Sequence, residues 1–98
     1  MPQRILDRIR ERVREASYDM TVHAVEEMAE DNPDILDVET AILNGGLVRT
    51  EKQELRGTKY TLHGIGADGT TRVGTVGRLT GTGPYLIITV YEVTESAP

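Results

Sequence analysis

His23, Lys59, His63, Arg72, Arg78 and Tyr91 are the side chains of this chain that could carry out phosphate chemistry. Cleaving an RNA phosphodiester without a metal needs a base beside the 2′-hydroxyl, cations around the phosphate and a proton donor for the leaving oxygen. Imidazole suits the first role, guanidinium or ammonium the second, and phenol or a second imidazole the third. Lys59 and His63 are four residues apart, so on a strand they share a face. Arg72 and Arg78 share a face on the strand expected to pair with it. A basic cluster of His63, Arg72 and Arg78, with Tyr91 or His23 nearby, is therefore the expected site. A solvated sheet face with alternating charges would show the same pattern and do no chemistry.

Other chemistries find little support. The chain has no Cys, so it has no thiol nucleophile, disulfide or Cys-type zinc site. His23 and His63 are the only two His, and neither stands in a His-x-x-His or Glu-x-x-His pair. Gly64-Ile65-Gly66 precedes a turn and a strand, unlike a phosphate loop, which opens a helix. Ser17 and Ser96 lack the setting of a nucleophile elbow. No metal and no cofactor is expected. His23 falls at the second position of a helix, where the dipole disfavours its charged form. A neutral imidazole there serves as a structural hydrogen-bonding group or as a base.

The elements that must position these residues can be read from periodicity. Ile5, Ile9, Val13 and Ala16, with Leu6 alongside, predict an amphipathic helix over 3–16. Arg4, Arg8 and Arg12 form a separate basic stripe on it. Thr21 is a candidate N-cap for a helix over 21–31, with Met20 and Val25 placed as a hydrophobic staple. Ala24, Val25 and Met28 are its expected core face. Asn32-Pro33-Asp34 separates it from a third helix over 34–44, with Ile35, Val38, Ala41 and Ile42 as the apolar stripe. Gly45 and Gly46 stop that helix, as expected for a left-handed C-terminal residue.

Beyond Gly46 the period becomes two. Strands are expected over 47–52, 58–65, 71–79 and 85–93, with an Asp-Gly turn at Asp68-Gly69 and another turn over 81–84. Gly74 and Gly77 inside the third strand suggest a bulge or a close approach of other groups. The result is an α+β domain spanning 1–98. Two or three N-terminal helices pack on one face of a roughly four-stranded antiparallel sheet over 47–93, with a tail over 94–98.

Charge is segregated along the chain. Residues 17–40 carry eight acids and no Lys or Arg, within an overall net charge of −5. A nucleic-acid surface needs a basic face, so it would lie on the first helix or on the sheet. No apolar run approaches the roughly 20 residues that span a bilayer, so no membrane segment is expected. The Met-Pro-Gln-Arg start is unlike a secretory signal. A bacterial, cytoplasmic protein is expected. Acidic helices and open sheet edges predict a homodimer or a complex with a basic partner protein.

His23-Ala24, Met28, Asp37-Val38, Ala41, Gly45 or Gly46, Tyr60, Gly64 and Ile88-Thr89-Val90-Tyr91 together form an ordered pattern. Over about 18–92 that pattern resembles the bacterial domain of unknown function 4258 family. That family looks like a relative of small toxins with the RelE-type and BrnT-type fold. The resemblance implies a toxin-like domain, in the extreme an mRNA endonuclease neutralised by an antitoxin. Glu27 and about Asp31 depart from the pattern, since family members usually carry Arg there. A non-catalytic interaction module, binding a partner through its acidic helices or a sheet edge, is the alternative.

Overall fold

A computed structural model describes residues 2–31, 33–53, 55, 57–81 and 83–94. Asn32 of the expected helix boundary, Thr82 of the 81–84 turn and the tail from 95 onward lie outside the described residues. Three helices come first, α1 (Pro2–Arg14), α2 (Val22–Glu30) and α3 (Ile35–Asn44), with a short strand β1 (Tyr18–Met20) between α1 and α2. Strands β2 (Gly46–Gln53), β3 (Gly57–Ile65), β4 (Arg72–Leu79) and β5 (Tyr85–Glu92) follow.

They form one five-stranded sheet in the order β1-β5-β4-β3-β2. The consecutive pairs are antiparallel, as expected from the hairpin turns. The expectation of a roughly four-stranded antiparallel sheet is corrected by β1, a fifth strand that pairs parallel to β5 from Tyr18↔Tyr85 to Met20↔Ile87. Three residues pairing with a partner so distant in sequence leave no local periodicity to read. Met20 therefore belongs to a strand, and Val25 is 49% exposed, so they do not close as a buried staple.

The helices cover one face of the sheet. Leu6, Ile9 and Val13 of α1, Ala24 of α2, and Val38, Ala41 and Ile42 of α3 meet Leu62, Val73, Tyr85, Ile87 and Val90 in one core. Three residues of the expected apolar faces lie outside it: Ala16, Val25, and Ile35 at 40% exposure. Val25 and Ile35 lie on the outward sides of their helices. Ala16 is exposed and left-handed, at φ 57, beyond the end of α1. Its N–H donates to Val13 O and that of Ser17 to Arg12 O, closing a Schellman turn around a non-glycine residue. On β5 the buried residues run Tyr85, Ile87, then Val90. The pairing steps from Ile87↔Gly77 to Thr89↔Val76, so Ile88 is an extra residue that switches the alternation.

Helix α3 lies unusually close to β3. A methyl group on Gly64 would come 2.0 Å from the Ala41 carbonyl oxygen, and one on Gly45 would come 2.2 Å from that of His63. The second distance corrects the expected role of Gly45, whose φ of −87 is one any residue adopts. Glycine is needed there for space. Asn44 fastens the same end: its side-chain amide donates to Ile65 O at 2.7 Å and accepts from Ile65 N–H at 3.0 Å. At the other end Asp34 and Asp37 form a reciprocal capping box, and Asp37 Oδ1 also accepts from Ala67 N–H at 2.8 Å.

Gly64→Ala should therefore cost about 1–3 kcal/mol or more, because the obstacle is backbone that cannot rotate away. Gly46→Ala, which meets nothing within 4 Å, should be close to neutral. Denaturant unfolding of the two variants checks the contrast.

Candidate functional site

The sheet face turned away from the helices carries the expected chemistry. On β3 Leu62 and Gly64 point toward the helices, so His63 between them points to the open face. In register, His63 pairs with Gly74 and Gly74 pairs with Tyr91. The central residue of this row has no side chain, and the two outer ones meet across it. His63 Nε2 lies 2.7 Å from the Tyr91 hydroxyl, with the rings edge-to-face, 5.7 Å apart and at 81°. A Cβ on Gly74 would fall 2.3 Å from the Tyr91 ring. Gly77, three residues along the chain, serves the other face, where the Tyr85 ring occupies the equivalent space.

Both tyrosines prefer to stay protonated. Burial raises the Tyr91 phenol above its ordinary value and pushes that of Tyr85 further up. Tyr91 therefore holds its proton at neutral pH, as an ordinary phenol also does. The contact with His63 has two forms. In one, the phenol donates to Nε2. In the other, Nε2–H donates to the phenol oxygen and leaves a lone pair on Nδ1.

Arg72 is at the near end of β4, two residues from Gly74. Together with His63, Gly64, Ile65 and Val93 it lines an open cleft of about 210 Å³. Arg72 therefore shares a cleft with His63, and His63 in turn meets Tyr91. Arg78 is not among them: six residues from Arg72, it lies about 20 Å further along the strand. There its guanidinium donates to the Gln53 side chain at 2.9 Å. Lys59 lies roughly 13 Å from His63 along β3, opposite Glu51 of β2.

His23 is on the far side of the sheet. Its imidazole is largely exposed and lies 3.2 Å from Glu27 one turn on. Glu27 has a structural task that its sequence position did not reveal: its carboxylate accepts from Val90 N–H at 2.9 Å. Thr21 completes this attachment to the β5 bulge. Its N–H donates to Ile87 O at 3.0 Å and its hydroxyl to Ile88 O at 2.9 Å. The same hydroxyl accepts from Ala24 N–H at 3.1 Å, as the expected N-cap. The basic stripe of α1 is also partly committed. Arg12 donates to the Gly83 and Gly81 carbonyls, and its neighbour Arg10 to the carbonyls ending α3.

Residues 20–92 match the family described as domain of unknown function (DUF4258), and the chain belongs to that family. No curated protein and no solved structure matches it. Several residues that carried the resemblance have clear physical tasks. Ala41, Gly45 and Gly64 permit the close approach of α3, Asp37 clamps the turn after β3, Ala24 is fully buried, and Tyr91 meets His63. Among the described residues no group of three or more His, Asp or Glu side chains is placed to hold a metal ion. No described helix is long and apolar enough to cross a membrane.

Glu27→Ala leaves Val90 N–H without its acceptor and should cost about 1.5–3 kcal/mol, the range for hydrogen bonds to charged groups. Glu27→Gln keeps an acceptor oxygen and should recover most of that loss. Thermal unfolding of both variants measures the difference.

Proposed function

We propose that this chain is a toxin-like, metal-independent endoribonuclease whose acid–base pair is His63 and Tyr91. The observation that carries the reading is the 2.7 Å contact between His63 Nε2 and the Tyr91 hydroxyl, held over Gly74 beside Arg72. With Nε2–H directed at the phenol, Nδ1 takes the proton of an RNA 2′-hydroxyl. The freed oxygen attacks the adjacent phosphorus as the bond to the 5′-oxygen breaks. Tyr91 gives its proton to that leaving oxygen, yielding a 2′,3′-cyclic phosphate and a 5′-hydroxyl. The imidazolium and the phenolate then neutralise each other through their shared hydrogen bond.

Arg72 supplies positive charge to the phosphate. A guanidinium has five N–H donors, enough to bind phosphate while keeping another partner. Charge distribution supports a polyanionic substrate on this face. By register, Arg49, Lys59, Arg72 and Arg78 stand on the open face against Glu51. The family resemblance to RelE-type and BrnT-type toxins points the same way and adds an antitoxin-like protein as the neutralising partner.

One observation favours a second, non-catalytic reading. Val22, Val25 and Leu36 are exposed on the acidic α2–α3 surface, at 75%, 49% and 57%. An apolar and acidic helical surface suits a basic, amphipathic protein partner, whether that partner is an antitoxin or the sole ligand of an interaction module.

Induced expression of the chain should arrest growth, and the purified protein should cleave RNA to cyclic phosphate ends without added metal. Tyr91→Phe keeps the ring over Gly74 and should lower cleavage by about 100-fold or more, the scale of one acid–base group. His63→Ala removes the base and should lower cleavage by a similar factor. At the alkaline end of the pH–rate profile, a raised Tyr91 value keeps the acid protonated beyond the usual phenol range near about 10. Arg78→Ala, remote from the cleft, should leave the rate nearly unchanged. No cleavage with or without ribosomes, and no growth arrest, would leave the interaction module as the function.

A further inference from the structure

The two edges of the sheet differ. β1 is only three residues long, whereas β2 runs eight residues from Gly46 to Gln53 and is the outermost strand on its side. A long outer strand presents unpaired backbone donors and acceptors, a ready template for another strand. Its side chains are not symmetric at random. Arg49 and Glu51 flank Thr50, both point to the open face, and they lie 3.5 Å apart at 70% and 39% side-chain exposure.

We propose that a second copy of this chain pairs antiparallel along β2, about a two-fold axis through Thr50. Such an axis perpendicular to the sheet keeps the helices of both copies on one face and makes a continuous ten-stranded sheet. Opposite residues must then point to the same face. In the register centred on Thr50, Arg49 faces Glu51 of the second copy, and Glu51 faces its Arg49. Shifting the centre by one residue either way places Arg49 opposite Arg49, or Glu51 opposite Glu51. Opposite charges across a strand pair stabilise it and like charges directly opposite destabilise it, so the charges select one register. The bulge between Leu47 and Arg49 limits the straight ladder to the residues beyond it, which makes the association weak and concentration-dependent.

This pairing is isologous, so a second copy satisfies both halves of the charge pattern at once. It is independent of the catalytic reading. The open faces of the two copies would join into one surface, with a His63–Tyr91 pair on each side of the junction.

Sedimentation equilibrium of the full chain should show a monomer–dimer equilibrium. Arg49→Glu gives a strand with two acids on the open face, and Glu51→Arg gives one with two cations. Each variant alone should dimerise about tenfold more weakly or worse, because both cross-strand pairs become repulsive. An equimolar mixture of the two should form a heterodimer, since every opposing pair is again of opposite charge. The mixture separates the proposed contact from any loss within one chain, because both variants break the Arg49–Glu51 contact of the monomer. A wild-type monomer at every concentration would overturn the proposal. So would dimers indifferent to both substitutions, or a mixture that stays monomeric.

Discussion

The near-contact of α3 with β3 governs the arrangement of everything else. A helix normally rests on a sheet through its side chains, yet here Gly64 and Ala41 bring the two backbones together. The approach holds only if the helix neither tilts nor slides, and both ends are tied for that purpose. Asn44 grips Ile65 at one end, while Asp37 holds the turn at Ala67 at the other. Arg10 adds a third fastening by donating from α1 to the carbonyls at the α3 C-terminus, where the helix dipole favours a cation. With β3 located in this way, the side of the strand on which His63 emerges is no longer free to vary.

From β3 the constraint passes to β4 through hairpin register. Gly74 lands between His63 and Tyr91, and Gly77 lands under Tyr85. Two glycines on one strand thus accept two tyrosine rings on opposite faces. One ring completes the core, and the other reaches across the open face to an imidazole. A methyl at either position would need the ring to move, so the same residue type that weakens a strand by entropy is what allows the aromatic contacts here. The β5 bulge at Ile88 is part of the same arrangement. It releases carbonyls that Thr21 takes up and an N–H that Glu27 accepts, fixing α2 to the strand that carries Tyr91.

Much of this could be read from single residues, and the exceptions share a cause. Period-two spacing places four strands to within about a residue or two, and side-chain parity gives Lys59 with His63, and Arg72 with Arg78, a shared face on their strands. Parity says nothing of distance along a strand, which is why Arg78 was grouped with residues about 20 Å away. The partner of Tyr18–Met20, the acceptor role of Glu27 and the ties of Arg10 and Arg12 all join residues remote in sequence. No local pattern encodes such pairs. Gly74 did carry a signal, since a glycine within a strand implies a close neighbour, but the neighbour's identity depended on register.

The segregation of charge gains a physical meaning once the layers are known. The acids of 17–40 sit on the helical side of the molecule, apart from Asp19 on β1, and several are already engaged: Glu27 with β5, Asp34 and Asp37 in the cap, and Glu39 with the Tyr18 hydroxyl. Burial, with the Glu39 carboxylate beside it, pushes the Tyr18 phenol up to about 12. These acids therefore hold the helical layer in place, and their sum says little about the other face. There Arg49, Lys59, Arg72 and Arg78 outnumber Glu51, so a chain with a net charge of −5 still has a locally basic sheet surface. At physiological ionic strength exposed charges are screened within about 8–10 Å, so a phosphate at the cleft senses Arg72 more than the helices behind the sheet. Net charge alone is consequently a poor guide to the substrate of a two-layer protein of this size. What matters is the sign on the layer that carries the imidazole and the phenol.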